Sequence, residues 1–351
     1  MSITRKYKKL IGTLGILTLS TSLTACVGKA ATQTQAGNAV CPVTVNESEG
    51  SVRIAYLGWP GPDLYTYDQG LLGACLPNVK AEWTRYPTGQ DIIQGFAAKS
   101  VDLGGLGSTP TAKALSDPLN LDVVVPRVNA VIGETEALVA KNVTSVEELK
   151  GKKIAVPFSS TSHYSLLKVL ESAGLDPKKD VTITNISPDK LPAAWASDEI
   201  EAAYVWDPTL QVLKDSGRVL VTSEEVAKLG APTFNVSLAD RTWAQKNSSI
   251  LNTWLELQDW VTEKGAVGDE DYIQANAAQS GMKLEDATRQ IKGQKYVTKE
   301  EQADELLTVG KALYSTAGFL VDQGEIPAVH EETHYIGAVT EYGYYAQGEK
   351  Q

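Results

Sequence analysis

Basic residues are in short supply. The 351-residue chain has 32 Lys and Arg against 43 Asp and Glu, and a formal charge of −11. Residues 1–25 hold four basic and no acidic residues, so the rest of the chain carries −15. So acidic a surface argues against nucleic acid as a partner and against a basic face that lies on a membrane. It also requires any anion site to be local, made by backbone N–H groups and hydroxyls. Cysteine and histidine number three each, and no metal-ligand cluster can be assembled from the cysteines. No Ser-His-Asp order and no Cys nucleophile stand out. Beyond residue 25 no apolar run is long enough to span a bilayer. No internal repeat is present, and no long low-complexity run follows residue 43.

What is there begins with an export signal. Arg5, Lys6, Lys8 and Lys9 form a basic start, and residues 10–23 an apolar stretch. The tetrad Leu23-Thr24-Ala25-Cys26 resembles a lipoprotein signal-peptidase site. It implies cleavage after residue 25 and a lipid on the Cys26 sulfur. Residues 26–43, small and polar, read as a flexible tether. The expected product is a globular protein outside the cytoplasmic membrane, held to it only through the lipid. In such a compartment Cys41 and Cys75 most simply form a disulfide, two free thiols being the alternative.

Two junctions between strand and helix carry hydroxyls. In the first, residues 101–103 are followed by Gly104, Gly105, Gly107, Ser108, Thr109 and Pro110. Thr109 is the expected cap and Pro110 the first helical residue. The glycines lack the spacing of a dinucleotide-binding loop. In the second, Ile154, Ala155 and Val156 lead through Pro157 into Ser159, Ser160, Thr161 and Ser162. Leu166, Leu167, Leu170 and Ala173 then recur at helical spacing, and Gly174 caps the end. The first N–H groups of a helix have no internal partner and sit at the positive end of its dipole, a place that suits an anion. Capping needs one hydroxyl; four point to ligand contact. His163 serves either as a ligand contact or as a structural helix-start residue.

A third segment offers the opposite charge. Residues 202–205 read as a strand, followed by Trp206, Asp207 and Pro208. Strand ends are where open α/β sheets bind ligands. Asp207 is a candidate counter-ion for a ligand cation, walled by Trp206 through cation–π contact, and is equally a candidate helix cap. Glu136, opening another strand, is a second counter-ion or a solvated strand end. After the first strand, Trp59 and Asp63 face the same region. One motif is a decoy: His330-Glu331-Glu332-Thr333-His334 matches H-E-x-x-H. It falls near the end of the chain among carboxylates, with His163 the only further histidine to complete a zinc site.

Across the first two-thirds, strands are expected at 52–56, 81–86, 121–125, 136–141, 154–156, 181–185, 202–205 and 218–221, alternating with helices such as 91–99. From 250 onward the pattern is helical, at 250–264, 269–280, 284–292, 303–317 and 328–340. This alternation predicts α/β sheets covered by helices on both faces, in about two lobes.

The stretches LGSTP, GETEALVAK, GKKIAVPFSSTSHYSLL, AAWASDEIEAAYVWDPTL and GAPTFNV, in the family's order within residues 52–339, resemble the taurine-binding proteins of bacterial ABC importers. Looser relatives carry alkanesulfonates, nitrate and thiamine precursors. The resemblance implies the type II periplasmic-binding-protein fold: two α/β lobes, residues 44–134 with 237–351 and residues 135–236, joined by a two-segment hinge and closing on a ligand. It implies a monomer that needs no cofactor and passes its ligand to a membrane permease driven by an ATPase. Taurine would place its sulfonate against Gly107, Ser108, Thr109, Ser160, Thr161, Ser162 and His163, and its ammonium against Asp207 or Glu136, beside Trp59 and Trp206. Another small sulfonate or amine-bearing anion is the alternative ligand. An enzyme on the same fold would need a reactive cysteine, and a surface interaction protein would use the fold without transport.

Overall fold

The structure is a computed structural model and describes residues 39–341 together with the two-residue strand β1 (Lys29–Ala30). The expected signal at 1–25, the lipid anchor Cys26 and most of the tether lie outside the described residues.

The strand propensities at 52–56 and 81–86 build the first sheet. In chain order come β2 (Gly50–Tyr56), α1 (Pro62–Asp68), α2 (Leu71–Cys75), β3 (Val79–Arg85), α3 (Gly89–Ala97), β4 (Leu103–Gly107), α4 (Ser108–Ala114) and β5 (Val123–Val131). Residues 132–135 then cross to a second sheet. It holds β6 (Glu136–Ala140), β7 (Lys153–Val156), α5 (Thr161–Ser172), β8 (Thr182–Asn185), α6 (Leu191–Ala196), β9 (Ala202–Trp206), α7 (Thr209–Lys214) and β10 (Arg218–Thr222). The return runs through α8 (Ser223–Lys228) into β11 (Phe234–Asp240), which belongs to the first sheet. The rest is helical apart from β12 (Lys295–Tyr296): α9 (Arg241–Lys246), α10 (Ser248–Val267), α11 (Glu270–Ser280), α12 (Leu284–Gly293), α13 (Gln302–Asp322) and α14 (Glu332–Thr340).

The first sheet has the order β1-β3-β2-β4-β11-β5-β12 and the second β10-β6-β9-β7-β8. Each is mixed. β2 runs parallel to β3 and β4, and β11 antiparallel to β4 and β5. In the second sheet β7 is parallel to β8 and β9, and β6 antiparallel to β9 and β10. The two sheets with their helices match the α/β expectation. Strand β11 was not among the expected strands, and it begins before residue 237, where the return to the first lobe was placed.

The chain therefore passes between the two sheets twice, at 132–135 and at 223–233. Strands β4 and β6 are buried along their whole length, as strands covered on both faces should be. Cys41 and Cys75 form a disulfide that ties the start of the described chain to the end of α2. A fully buried Arg127 on β5 is paired with Asp259 and donates to Thr262 Oγ1 at 2.8 Å, which welds α10 to the first sheet. Among the described residues no helix is long and apolar enough to cross a membrane.

Candidate functional site

A cavity lies between the two sheets, at the carboxyl ends of their parallel strands. Ligands bind there in open α/β sheets because the loops leaving neighbouring strands diverge. Leu57 and Trp59 follow β2, Gly107 ends β4, Ser160 and Thr161 follow β7, and Trp206 and Asp207 end β9. Glu136 and Asn235 open the antiparallel strands β6 and β11, and Gln290 comes from α12. The space open to the centre of a water-sized group is about 40 Å³. One water needs roughly 10–15 Å³ by that measure, so the cavity suits a small molecule.

Two carboxylates dominate its chemistry. Glu136 is 1% exposed and Asp207 2%. Glu136 Oε2 accepts from Thr161 Oγ1 at 2.6 Å and Oε1 accepts from Ser223 Oγ at 2.8 Å. These bonds fix the carboxylate between α5 and α8. Burial pushes its pKa up, and the two hydroxyl bonds oppose the rise without cancelling it. Asp207 accepts from Gln211 Nε2 at 3.2 Å, and its backbone N–H donates to Thr135 O at 3.1 Å. Burial pushes Asp207 up to about 7, against the weaker pull of Gln211 and Lys214. None of the described residues lining the cavity is basic. Two buried carboxylates without a cation form a receptor for one.

Beside Glu136, the start of α5 offers donors that suit an anion. Helix α5 starts at Thr161 and is capped by Ser160, whose hydroxyl accepts from His163 N at 3.1 Å. The same hydroxyl donates to Pro157 O at 2.6 Å, so its one proton is taken. The N–H groups of Thr161 and Ser162 have no partner within the helix and stand at its positive end.

Seven expected site residues line the cavity together: Trp59, Gly107, Glu136, Ser160, Thr161, Trp206 and Asp207. Four do not. Helix α4 begins at Ser108 with Gly107 as its cap, two residues earlier than a Thr109 cap and a first helical Pro110 require. Ser108 Oγ accepts from Phe234 N at 3.2 Å and so anchors β11. Thr109 is fully buried and its hydroxyl has no hydrogen-bond partner among the described residues. The Ser162 hydroxyl is also fully buried and makes no bond of good geometry, though it lies close enough to Glu136 to favour the charged carboxyl. His163 turns away from the cavity. Its Nδ1 lies 3.3 Å from Ser159 N, and its ring stacks on Phe158 with centroids 4.8 Å apart. Asp207 does not act as a helix cap either: Pro208 occupies that position and no side chain caps α7.

Asp63 does not line the cavity. It lies behind β4, so close that a Cβ on Gly105 would meet its carboxylate at 2.5 Å. It keeps some exposure, yet crowding by protein atoms pushes its pKa up to about 7 against the pull of Arg127. The H-E-x-x-H match does not form one helical face, because α14 starts at Glu332 and leaves His330 outside. His334 Nε2 contacts Leu115 O at 2.8 Å. No group of three His, Cys, Asp or Glu among the described residues is placed to hold a metal.

Sequence reasoning missed Asn235, Gln290, Thr135 and Ile132. Asn235 sits in GAPTFNV, a stretch that carried the family resemblance, and the unrecognised strand β11 hid its direction. Thr135 and Ile132 belong to the first crossing. Gln290 gives no signal, being one polar residue on a polar helix.

Residues 119–270 match the NMT1-like family. The chain is 36% identical over 264 residues to the taurine-binding periplasmic protein of Escherichia coli (strain K12), covering 73% of this chain and 82% of that protein. A putative aliphatic sulfonates-binding protein of the same strain is 29% identical over 216 residues, covering 60% of this chain and 65% of that protein. Among solved structures, the alkanesulfonate-binding protein of Xanthomonas axonopodis pv. citri bound to MOPS superposes with a TM-score of 0.69 at 23% identity, over 81% of this chain and 96% of that one.

Proposed function

Because the chain belongs to the family of taurine-binding periplasmic proteins, we propose that it captures taurine between its two lobes outside the cytoplasmic membrane and delivers it to an ABC permease and its ATPase. The observation that carries this reading is the pairing of Glu136 and Asp207, buried and without a basic neighbour in the cavity, with the free N–H groups that start α5. A small zwitterion satisfies both. The sulfonate takes the helix start, worth about 0.3–1 kcal/mol and up to ~2 when partly buried. The ammonium pairs with the carboxylates. A ligand without the amine leaves a carboxylate buried and uncompensated, and is rejected for that reason. The lobes are residues 44–134 with the segment from β11 onward, and residues 135–233, so the second boundary falls before the expected 237. Lipid on Cys26 would keep the protein at the membrane as a monomer.

This is a carrier and not an enzyme on the same fold. With Cys41 and Cys75 joined, neither supplies the thiol that such an enzyme needs. Calorimetric titration of residues 41–351 with taurine, ethanesulfonate, nitrate and a thiamine pyrimidine tests the reading. Taurine is expected to bind tightest. Tighter ethanesulfonate would make the protein a general sulfonate carrier, and silence with all four would reject the assignment.

A further inference from the structure

Outside the cavity, four side chains join the two bodies of the fold. Lys113 on α4 and Glu325, just after α13, belong to the body of the first sheet. Ser159 and His163 belong to that of the second. Lys113 Nζ lies 2.9 Å from Glu325 Oε2 and donates to Ser159 Oγ at 2.9 Å. Ser159 Oγ in turn donates to Glu325 Oε2. His163 Nδ1 is 3.4 Å from Glu325 Oε1. The Lys113 and Glu325 side chains are only 19% and 16% exposed, so water screens the pair weakly. Beside them the Tyr164 ring meets the Phe319 ring edge-on, with centroids 4.8 Å apart.

We propose that Lys113, Glu325, Ser159 and His163 form a clasp that holds the lobes closed, and that they set ligand affinity without touching the ligand. This rests on the closing-lobe reading above. Among the described residues the two bodies are linked covalently only at 132–135 and 223–233, and none of the four residues lies on either link. Their contact is through space and has to break when the bodies part. Ser159 immediately precedes Ser160 and Thr161 of the cavity wall, so the clasp fastens the same turn that would receive the anion.

Two further observations support it. Ser159 adopts φ 57°, the left-handed region where a serine is costly and glycine is not. A hydroxyl bridging the lobes gives the serine a use there. Burial opposes ionisation of Glu325, but His163, Ser159 and Lys113 outweigh it and hold its pKa down at about 2, so the charge is present at every working pH.

If ligand binds the closed form, its apparent affinity scales with the closed fraction. Ser159→Gly removes the hydroxyl and relieves the backbone, so the fold is kept. Glu325→Gln removes the charge at constant shape. Taurine affinity, ligand-free melting temperature and the radius of gyration with and without taurine are to be measured on the purified protein. Each variant is expected to bind about tenfold more weakly, the size of one charged hydrogen bond. The double variant should lose no more than Glu325→Gln alone, because the two act as one unit. Ser159→Gly should melt no lower than wild type. Wild-type affinity in both variants, or a loss matched by equal destabilisation of the ligand-free protein, would overturn the clasp. If wild type ignores taurine, the functional reading fails separately. The clasp is then judged on ligand-free compactness, where Glu325→Gln should be the larger particle and equal sizes would overturn it.

Discussion

Asp207 and Glu136 are placed against their own electrostatic interest. Each is buried without a cation, and burial raises both pKa values, Asp207 to about 7. An arriving ammonium reverses that cost. Asp207→Asn is therefore expected to raise the taurine Kd by at least about 30-fold, the cost of breaking a buried charge pair, while ethanesulfonate binding holds or improves. Equal losses for both ligands would count against a direct ammonium contact. The pH dependence has a definite sign. In the empty cavity Asp207 holds its proton up to about 7, and the ammonium favours the ionised form. Taurine binding should thus release protons at pH 6 and weaken as pH falls through about 7, read by calorimetry in buffers of different ionisation enthalpy. Stability runs the other way. The folded value lies above the ordinary 3.8, so the ligand-free protein loses stability from this group as pH rises from about 4 to about 7. Asp207→Asn should melt higher than wild type at pH 8 in the absence of ligand.

At the scale of elements, the cavity depends on how closely the ends of β4 and α5 approach. A Cβ on Gly107 would come 2.7 Å from the Thr161 methyl across the cleft. Gly107 has an ordinary extended backbone, with φ −78° and ψ 160°, so alanine fits its conformation but not its neighbour. Gly107→Ala is expected to leave the ligand-free unfolding free energy within about 0.5 kcal/mol of wild type and to weaken taurine binding by blocking closure. Unchanged affinity would show that the lobes need not approach this closely. The sequence showed the α5 junction well because its hydroxyls and leucines fall at helical spacing. It showed α4 less well. A Thr-Pro pair normally marks a helix start, and here Gly107 caps the helix before it. Strand β11 escaped because Asn235 and Ser237 interrupt its apolar run. Both face polar surroundings that only the assembled sheet provides: Asn235 the cavity, and Ser237 the Asn129 side chain at 3.1 Å. His163 was misplaced for a related reason. Proximity to a ligand-binding turn does not fix which way a ring points, and Glu325, which faces it, is 162 residues further along the chain.

At the scale of the molecule, two sheets linked by two crossings make a hinge, and most remaining contacts stabilise one body or the other. The disulfide belongs to one body only, since Cys41 and Cys75 both pack with the first sheet's core. It closes a loop with a sequence separation of 34. Replacing both cysteines by serine is expected to cost about 3–4 kcal/mol in denaturant unfolding and to leave the taurine Kd within about twofold. A large affinity loss would mean that this end of the first body reaches the cleft. How the whole closes on one small zwitterion is decided by a crystal structure with taurine bound. The nitrogen is expected at the Glu136 and Asp207 carboxylates and the sulfonate oxygens on the N–H groups of Thr161 and Ser162. A sulfonate lodged elsewhere, with the nitrogen facing solvent, would contradict it.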